Sequence, residues 1–150
     1  MKKLFILYGA GNTGKTTTFN KLLEKINAKY LDKLVYFSRH SNNIDFIAVF
    51  QYENMRIGFY SSGDSEWEIS HNLYELHHKQ CDFIFGTSRT RGAGCEMLEK
   101  FATLFYGHSE ENDVIEWFAK ERATDEDNMK DEDNMKVTKT LFSAMEKLIK

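Results

Sequence analysis

The feature that most constrains how this chain folds is a glycine-rich segment, GAGNTGKT, at residues 9–16. A continuous apolar run from Leu4 to Tyr8 precedes it and is typical of a strand buried on both faces of a parallel sheet. After the glycines, apolar residues recur at helical spacing: Phe19, Leu22, Leu23 and Ile26. A buried strand, a glycine loop and an amphipathic helix in this order begin a βα unit, so the segment predicts an α/β fold.

An antiparallel hairpin is predicted later in the chain. Residues 33–37 read as a second strand, and two apolar runs follow at 45–52 and 56–60. Only a few residues, Glu53 and Asn54 among them, separate these two runs. Since a crossover to a parallel strand needs about a dozen residues or more, the two runs are expected to pair antiparallel.

Five further elements complete the predicted architecture. They are a helix opened by Ser65 and Glu68 at capping-box spacing, a strand at 81–86, a helix from Cys95 to Phe105 ended by Gly107, a strand from Asp113, and an amphipathic C-terminal helix carrying Val137, Leu141, Met145 and Leu148. Strands that alternate with helices predict an α/β sandwich with a mostly parallel central sheet, built as a single domain over residues 1–150.

Composition narrows the class of protein. With 41% hydrophobic and 14% aromatic residues, the chain can bury a core, which excludes disorder as its main state. Its 20 Lys and Arg stand against 23 Asp and Glu, so nucleic acid would have to bind a local patch, and none is evident. No apolar stretch approaches the roughly 20 residues of a membrane span, and the apolar run from Leu4 to Tyr8 is too short for a secretory signal. We expect a soluble cytoplasmic protein with no membrane partner and two free thiols, Cys81 and Cys95.

A perfect tandem repeat, DEDNMK, occupies residues 125–130 and 131–136. Two such short units cannot build a solenoid, so we interpret the repeat as a duplication that extends a loop or the front of the last helix. Its carboxylates lack the glycine and the spacing of a calcium-binding loop. The repeat is therefore expected to form a solvated acidic face.

The glycine-rich segment matches G-x-x-x-x-G-K-[ST], with Gly9, Gly14, Lys15 and Thr16 in register. Backbone N–H groups of such a loop can surround a phosphate where the following helix begins. At these residues the chain resembles the P-loop NTPase superfamily, closely over its first 26 residues and elsewhere only as an α/β pattern. The resemblance implies a three-layer α/β/α sandwich of the P-loop NTPase type.

The resemblance also implies a role for each residue of the loop. The amides of residues 10–15 would wrap the phosphates of a nucleoside triphosphate, and Lys15 would bridge the β- and γ-phosphates. The Thr16 hydroxyl would ligate Mg²⁺. The predicted nucleotide-binding set is Gly9, Ala10, Gly11, Asn12, Thr13, Gly14, Lys15, Thr16 and Thr17.

A second residue on the magnesium side is predicted at Asp64. It follows the apolar run at 56–60 through Ser61, Ser62 and Gly63, beyond the expected carboxyl end of a strand. In the superfamily the acid usually follows the hydrophobic run directly, whereas three small residues intervene here. An alternative role for Asp64 is to cap the helix that follows.

Two arginines, Arg89 and Arg91, lie in the loop GTSRTRGAG after the predicted strand at 81–86. The topology would bring them to the same sheet edge as the glycine loop. There the guanidinium groups could bind phosphate oxygens or stabilise charge in the transition state of phosphoryl transfer. The alternative is that both arginines are solvated or pair with the acidic tail.

Three functions stay open at this stage. The chain lacks the N-K-x-D series that reads guanine, so ATP is expected by elimination and GTP is not excluded. The first candidate is a small Mg²⁺-dependent ATPase, a hydrolase whose predicted catalytic set is Lys15, Asp64, Arg89 and Arg91. The second is a kinase that transfers the γ-phosphate to a nucleotide or another metabolite held near Arg39, and the third is a non-catalytic switch. The oligomeric state is left open.

Overall fold

The computed structural model of the protein describes residues 2–10, 14–91, 95–120 and 127–150, with residues 127–132 described by their backbone alone. These segments form six strands and four helices. The strands are β1 (Lys3–Tyr8), β2 (Leu34–Arg39), β3 (Phe46–Tyr52), β4 (Met55–Tyr60), β5 (Phe83–Ser88) and β6 (Ile115–Ala119). The helices are α1 (Lys15–Lys29), α2 (Glu66–His78), α3 (Glu96–Phe105) and α4 (Asp127–Leu148).

The six strands form one mixed sheet in the order β2-β3-β4-β5-β1-β6. The pairs β1–β5, β1–β6 and β4–β5 are parallel, and the predicted β3–β4 hairpin is confirmed. A second antiparallel pair, β2–β3, was not predicted. It forms because the link between β2 and β3 is a tight turn, which His40 N–H closes by donating to the Asp45 carbonyl at 2.8 Å.

Helices cover both faces of the sheet. Successive residues of β1 point to opposite faces. Leu4 and Ile6 pack with α2 and α3, whereas Phe5 and Leu7 pack with α1 and α4. All four side chains are buried, so β1 is covered on both faces, as its unbroken apolar run predicted. The result is an α/β sandwich in which β1 lies between β5 and the edge strand β6.

Two expectations from composition can be compared with the structure. Cys81 and Cys95 are both free, as predicted, and both are buried; burial raises the pKa of the Cys81 thiol to about 12. None of the helices in the described segments is both apolar and long enough to traverse a bilayer.

Residues 127–136 of the tandem repeat form the front of α4, one of the two positions predicted for it. The expectation that the repeat is a solvated face is wrong for Asn134, and Asp133 is only partly exposed. Asn134 is buried and its Oδ1 accepts a hydrogen bond from Thr18 Oγ1 at 3.2 Å. Asp133 pairs with Lys120, whose side chain is fully buried. Asn134 therefore holds α4 against α1, and Asp133 holds it against the residue that follows β6.

A carboxylate on α4 also joins it to the other end of α1. Lys29 and Tyr30 both donate to Glu146 Oε2, Tyr30 Oη at 2.7 Å. These hydrogen bonds lower the pKa of Glu146, and the one from Lys29 has the largest effect. A carboxyl whose pKa is lower in the folded state than in the unfolded state stabilises the fold above its unfolded pKa, and that contribution is lost as the pH falls through its folded pKa.

We therefore expect Glu146→Gln to lower the free energy of unfolding by about 1 kcal/mol near neutral pH. The difference from the wild type should shrink as the pH falls through the folded pKa of Glu146, because the wild-type carboxyl is then protonated too. Urea unfolding from about pH 7 to about pH 3 measures this convergence. Glu110→Gln, at an exposed position, is the matched control and should show no such dependence. A deficit that stays constant over this range would contradict the assignment.

Candidate functional site

The sheet topology gathers five chain segments at one edge. β1, β4, β5 and β6 are mutually parallel, so the residues after them share that edge: Gly9, Ser61, Arg89 and Lys120. β3 runs in the opposite direction, which brings Asp45, the residue before it, to the same edge. Polar and charged side chains that are far apart in sequence thus come together around the start of α1.

The described ends of the glycine loop are Gly9 and Ala10 after β1 and Gly14 before α1. Gly9 N–H donates to the Ser88 carbonyl at 3.0 Å, which fixes the loop to the end of β5. Gly14 is the N-cap of α1 and has a φ of 95°, a left-handed conformation that favours glycine. Among the residues that the structure describes, no side chain caps the helix, and its first turn contains no acidic residue. The N–H groups and the dipole at this end of α1 therefore favour an anion. The predicted residues Gly11, Asn12 and Thr13 lie outside the described segments.

Lys15 lies inside the site with 6% of its side chain exposed. Its Nζ donates to the carbonyls of Gly9 at 2.5 Å and of Ala10 at 3.1 Å, and it lies 3.7 Å from Asp64 Oδ1. Burial lowers the pKa of Lys15, the charge of Asp64 opposes that effect, and the charge of Arg89 adds to it. The ammonium group is thus a desolvated cation held by two loop carbonyls and one carboxylate.

Asp64 lies beside Lys15 and is largely exposed. The cap of α2 is Ser65, whose Oγ accepts a hydrogen bond from Glu68 N–H at 3.1 Å, as the capping-box spacing predicted. The helix-cap role that we considered for Asp64 is therefore taken by its neighbour. The structure brings Asp64 to the predicted edge, and its charged neighbour there is Lys15.

The Thr16 hydroxyl contacts a carboxylate that sequence reasoning missed. Thr16 Oγ1 donates to Asp45 Oδ1 at 3.1 Å, and Ser61 Oγ donates to the same oxygen at 2.9 Å. Thr17, the next residue of α1, is exposed. Asp45 carries no motif of its own, but an acid immediately before the first strand of the predicted hairpin was a signal that could have been followed. The strand order then decides which sheet edge it reaches.

Arg39, predicted near a phosphate acceptor, has contacts within the protein. Its Nη1 donates to Asn20 Oδ1 at 2.8 Å and to the Ile44 carbonyl at 2.7 Å. Its guanidinium also lies 5.1 Å from the centre of the Phe37 ring. These contacts tie the β2–β3 turn to α1, so the structure gives Arg39 a role in positioning that turn.

Arg89 and Arg91 follow β5 and are exposed at the predicted edge. The Arg91 guanidinium lies 5.8 Å from the centre of the Tyr8 ring, at the end of β1. Arg89 is close enough to Lys15 for its charge to lower the pKa of the lysine. Arg89 is thus near the ammonium group of Lys15, whereas Arg91 lies against the end of β1. Part of the acidic tail that was the alternative partner, residues 121–126, lies outside the described segments.

A second cation and α4 close the site from the side of β6, which the sequence did not reveal. Lys120 N–H donates to the Tyr8 carbonyl at 2.8 Å, and the charge of Lys120 contributes to the lowered pKa of Lys15. Asn134 lies so close to Gly14 that a Cβ there would stand 2.7 Å from Asn134 Oδ1. Glycine at position 14 is thus required by its φ and by the approach of α4.

Comparisons with known proteins give no relative for this arrangement. No family model, curated protein or solved structure matches the chain. Within the described segments, no group of three or more His, Cys, Asp and Glu side chains is arranged to hold a metal ion. The functional argument consequently depends on the chemistry of the residues around α1.

Proposed function

We propose that this protein is a P-loop NTPase that binds ATP with Mg²⁺ and hydrolyses the bond between the β- and γ-phosphates. The observation that carries the proposal is the buried Lys15 ammonium at the start of α1, held by the carbonyls of Gly9 and Ala10. A desolvated cation beside the N-terminus of a helix favours a polyphosphate because both attract negative charge. The motif at residues 9–16 supports the same ligand.

The chemistry of the nearby oxygen atoms fits a magnesium ion. Thr16 and Ser61 supply hydroxyl oxygens, and Asp45 and Asp64 supply carboxylates at the same edge. Mg²⁺ prefers such hard oxygen ligands, few of them from protein, together with water and phosphate oxygens. When bound, it would neutralise charge on the phosphates.

Hydrolysis needs a positioned water molecule and cations around the γ-phosphate. We propose that a water near Asp64 or Arg89 attacks the γ-phosphorus; its oxygen forms the new P–O bond as the bond to the β-phosphate oxygen breaks, giving ADP, inorganic phosphate and a proton. Lys15, Arg89 and Arg91 would stabilise the negative charge that develops on the phosphate oxygens.

A nucleotide panel tests the proposed function. The purified protein is melted with ATP, ADP, GTP and GDP, each with and without Mg²⁺, and phosphate release is followed in parallel. We expect the melting temperature to shift with adenine nucleotides and to depend on Mg²⁺. We also expect phosphate release from ATP when no acceptor is added. Phosphate transfer only when a nucleoside or another metabolite is added would identify a kinase, and binding without turnover would identify a switch. No shift with any nucleotide would contradict the proposal.

The two arginines are expected to differ in their contribution to turnover. Arg89→Ala should lower kcat roughly 10- to 100-fold and change the affinity for ATP much less, since its charge acts where negative charge develops. Arg91→Ala should have a smaller effect, because its guanidinium lies against Tyr8. Steady-state kinetics of both variants measure the split between kcat and KM, with Lys100→Ala on α3 as a control for lost positive charge. Equal effects of Arg89→Ala and Lys100→Ala would refute a specific role.

A further inference from the structure

Three side-chain oxygens from three separate elements meet at one point of the site. Asp45 Oδ1 accepts hydrogen bonds from Thr16 Oγ1 at 3.1 Å and from Ser61 Oγ at 2.9 Å. Thr16 belongs to the first turn of α1, Asp45 precedes β3, and Ser61 follows β4. By donating its proton to Asp45, Thr16 keeps the lone pairs of its oxygen available for a cation.

The turn that carries Asp45 is built to hold this carboxylate. Asn42 Oδ1 accepts hydrogen bonds from the N–H groups of Ile44 at 3.0 Å and Asp45 at 2.9 Å, which folds the turn on itself. Asn42 Nδ2 donates to the other carboxylate oxygen of Asp45 at 2.6 Å. Asn20, one turn beyond Thr16 in α1, donates to the Ile44 carbonyl at 3.0 Å. Asn42 within the turn and Asn20 on α1 thus together hold the Asp45 carboxylate beside α1.

Asp64 has a different partner. Its Oδ1 lies 3.7 Å from the Lys15 ammonium, and its side chain is 61% exposed, whereas Asp45 is only partly exposed. The two carboxylates therefore have different partners, one a hydroxyl group and the other an ammonium group. Asp45 lies with the hydroxyl of Thr16, and Asp64 lies with the cation of Lys15.

We propose that Asp45, together with Thr16 and Ser61, forms the divalent-cation site, and that Asp64 is the counter-ion of Lys15. The inference rests on the proposed function, because the phosphates of the nucleotide would supply further oxygen ligands to the cation. It changes the sequence-based prediction, which assigned the magnesium ion to Thr16 and Asp64. It also connects the cation to the β2–β3 turn, since Asp45 is the last residue of that turn.

The test compares the affinity for a non-hydrolysable ATP analogue in Mg²⁺ and in EDTA by isothermal titration calorimetry. Asp45→Asn keeps the size of the side chain and an oxygen that can accept both hydroxyl hydrogen bonds, but it removes the charge and the oxygen to which Asn42 Nδ2 donates. We expect this variant to reduce the gain in affinity from Mg²⁺ at least tenfold and to bind the analogue in EDTA nearly as the wild type does. Asp64→Asn should retain most of that gain, as should the control Asp32→Asn, an exposed residue beyond the far end of α1.

The other possible results distinguish failure of the cation-site inference from failure of the proposed function. Loss of the magnesium effect in Asp64→Asn with its retention in Asp45→Asn would overturn the inference and leave the proposed function standing. Wild-type binding that does not respond to Mg²⁺ would also overturn it. No binding by the wild type in either condition would overturn the proposed function and the inference together. Circular dichroism and melting of each variant, with Asp45→Glu as a second substitution that keeps the charge, separate a lost cation site from a lost fold.

Discussion

Replacing Lys15 with alanine is expected to abolish the stabilisation of the protein by ATP while leaving the free protein folded. For the wild type, nucleotide at about 100 times its Kd should add about 2.7 kcal/mol to the free energy of unfolding, or several degrees in melting temperature. The variant should show no shift, because it lacks the buried cation that faces the phosphate position. Differential scanning fluorimetry with and without Mg²⁺ measures both quantities at once.

The free Lys15→Ala protein should melt within a few degrees of the wild type. Burial lowers the pKa of Lys15, which means that the folded state pays a desolvation cost to hold the ammonium. Removing the side chain removes that cost along with its hydrogen bonds to Gly9 and Ala10, so the two effects offset each other. Lys25→Ala, on the exposed side of α1, is the matched control and should keep the full nucleotide shift. A variant that still responds to ATP would exclude Lys15 as a phosphate ligand.

Gly63→Ala is expected to be the most destabilising small substitution at the site, with a loss of about 3 kcal/mol. A Cβ at this position would lie 1.9 Å from the Thr87 carbonyl oxygen and 2.5 Å from the carbonyl carbon. Both atoms belong to the backbone of β5, so no side chain can rotate to relieve the overlap. The segment after β4 would have to move away from β5 and carry Asp64 away from Lys15.

Urea unfolding measures the loss, and Gly107→Ala is an informative control. Gly107 has a φ of 73°, and the nearest atom that its Cβ would meet is 3.8 Å away. Alanine there should cost only about 1 kcal/mol for the left-handed backbone, with no overlap of atoms. A Gly63→Ala variant as stable as Gly107→Ala would show that β4 and β5 separate easily at their carboxyl ends.

Most of the architecture could be predicted from the sequence because its signals are local. The apolar run of β1 is buried on both faces, and Ser65 and Glu68 cap α2 as their spacing indicated. The antiparallel pairing of β2 with β3 was missed, although its signal was also local. Asn42 Oδ1 folds the short link by accepting hydrogen bonds from the N–H groups of Ile44 and Asp45.

The candidate site was only partly predictable, for a physical reason. One short motif contains Gly9, Gly14, Lys15 and Thr16. Its chemistry depends on residues that are neighbours in the sequence, so the sequence alone reveals it. The position of Asp45 beside Thr16 depends instead on strand order and on the direction of β3, which arise from contacts between distant segments. Sequence reasoning looked for an acid after a strand and found Asp64, whereas this acid precedes one.

The contacts of α4 have a consequence for changes in the length of the tandem repeat. Asp133 and Asn134 belong to the second copy of DEDNMK. Asp133 pairs with Lys120, and Asn134 accepts a hydrogen bond from Thr18. Because the copies are identical, deletion of either one produces the same chain, in which an Asp-Asn pair still stands at the same distance before Val137. A change in length by one whole copy therefore keeps an Asp and an Asn at the positions, relative to Val137, from which Asp133 and Asn134 contact Lys120 and Thr18.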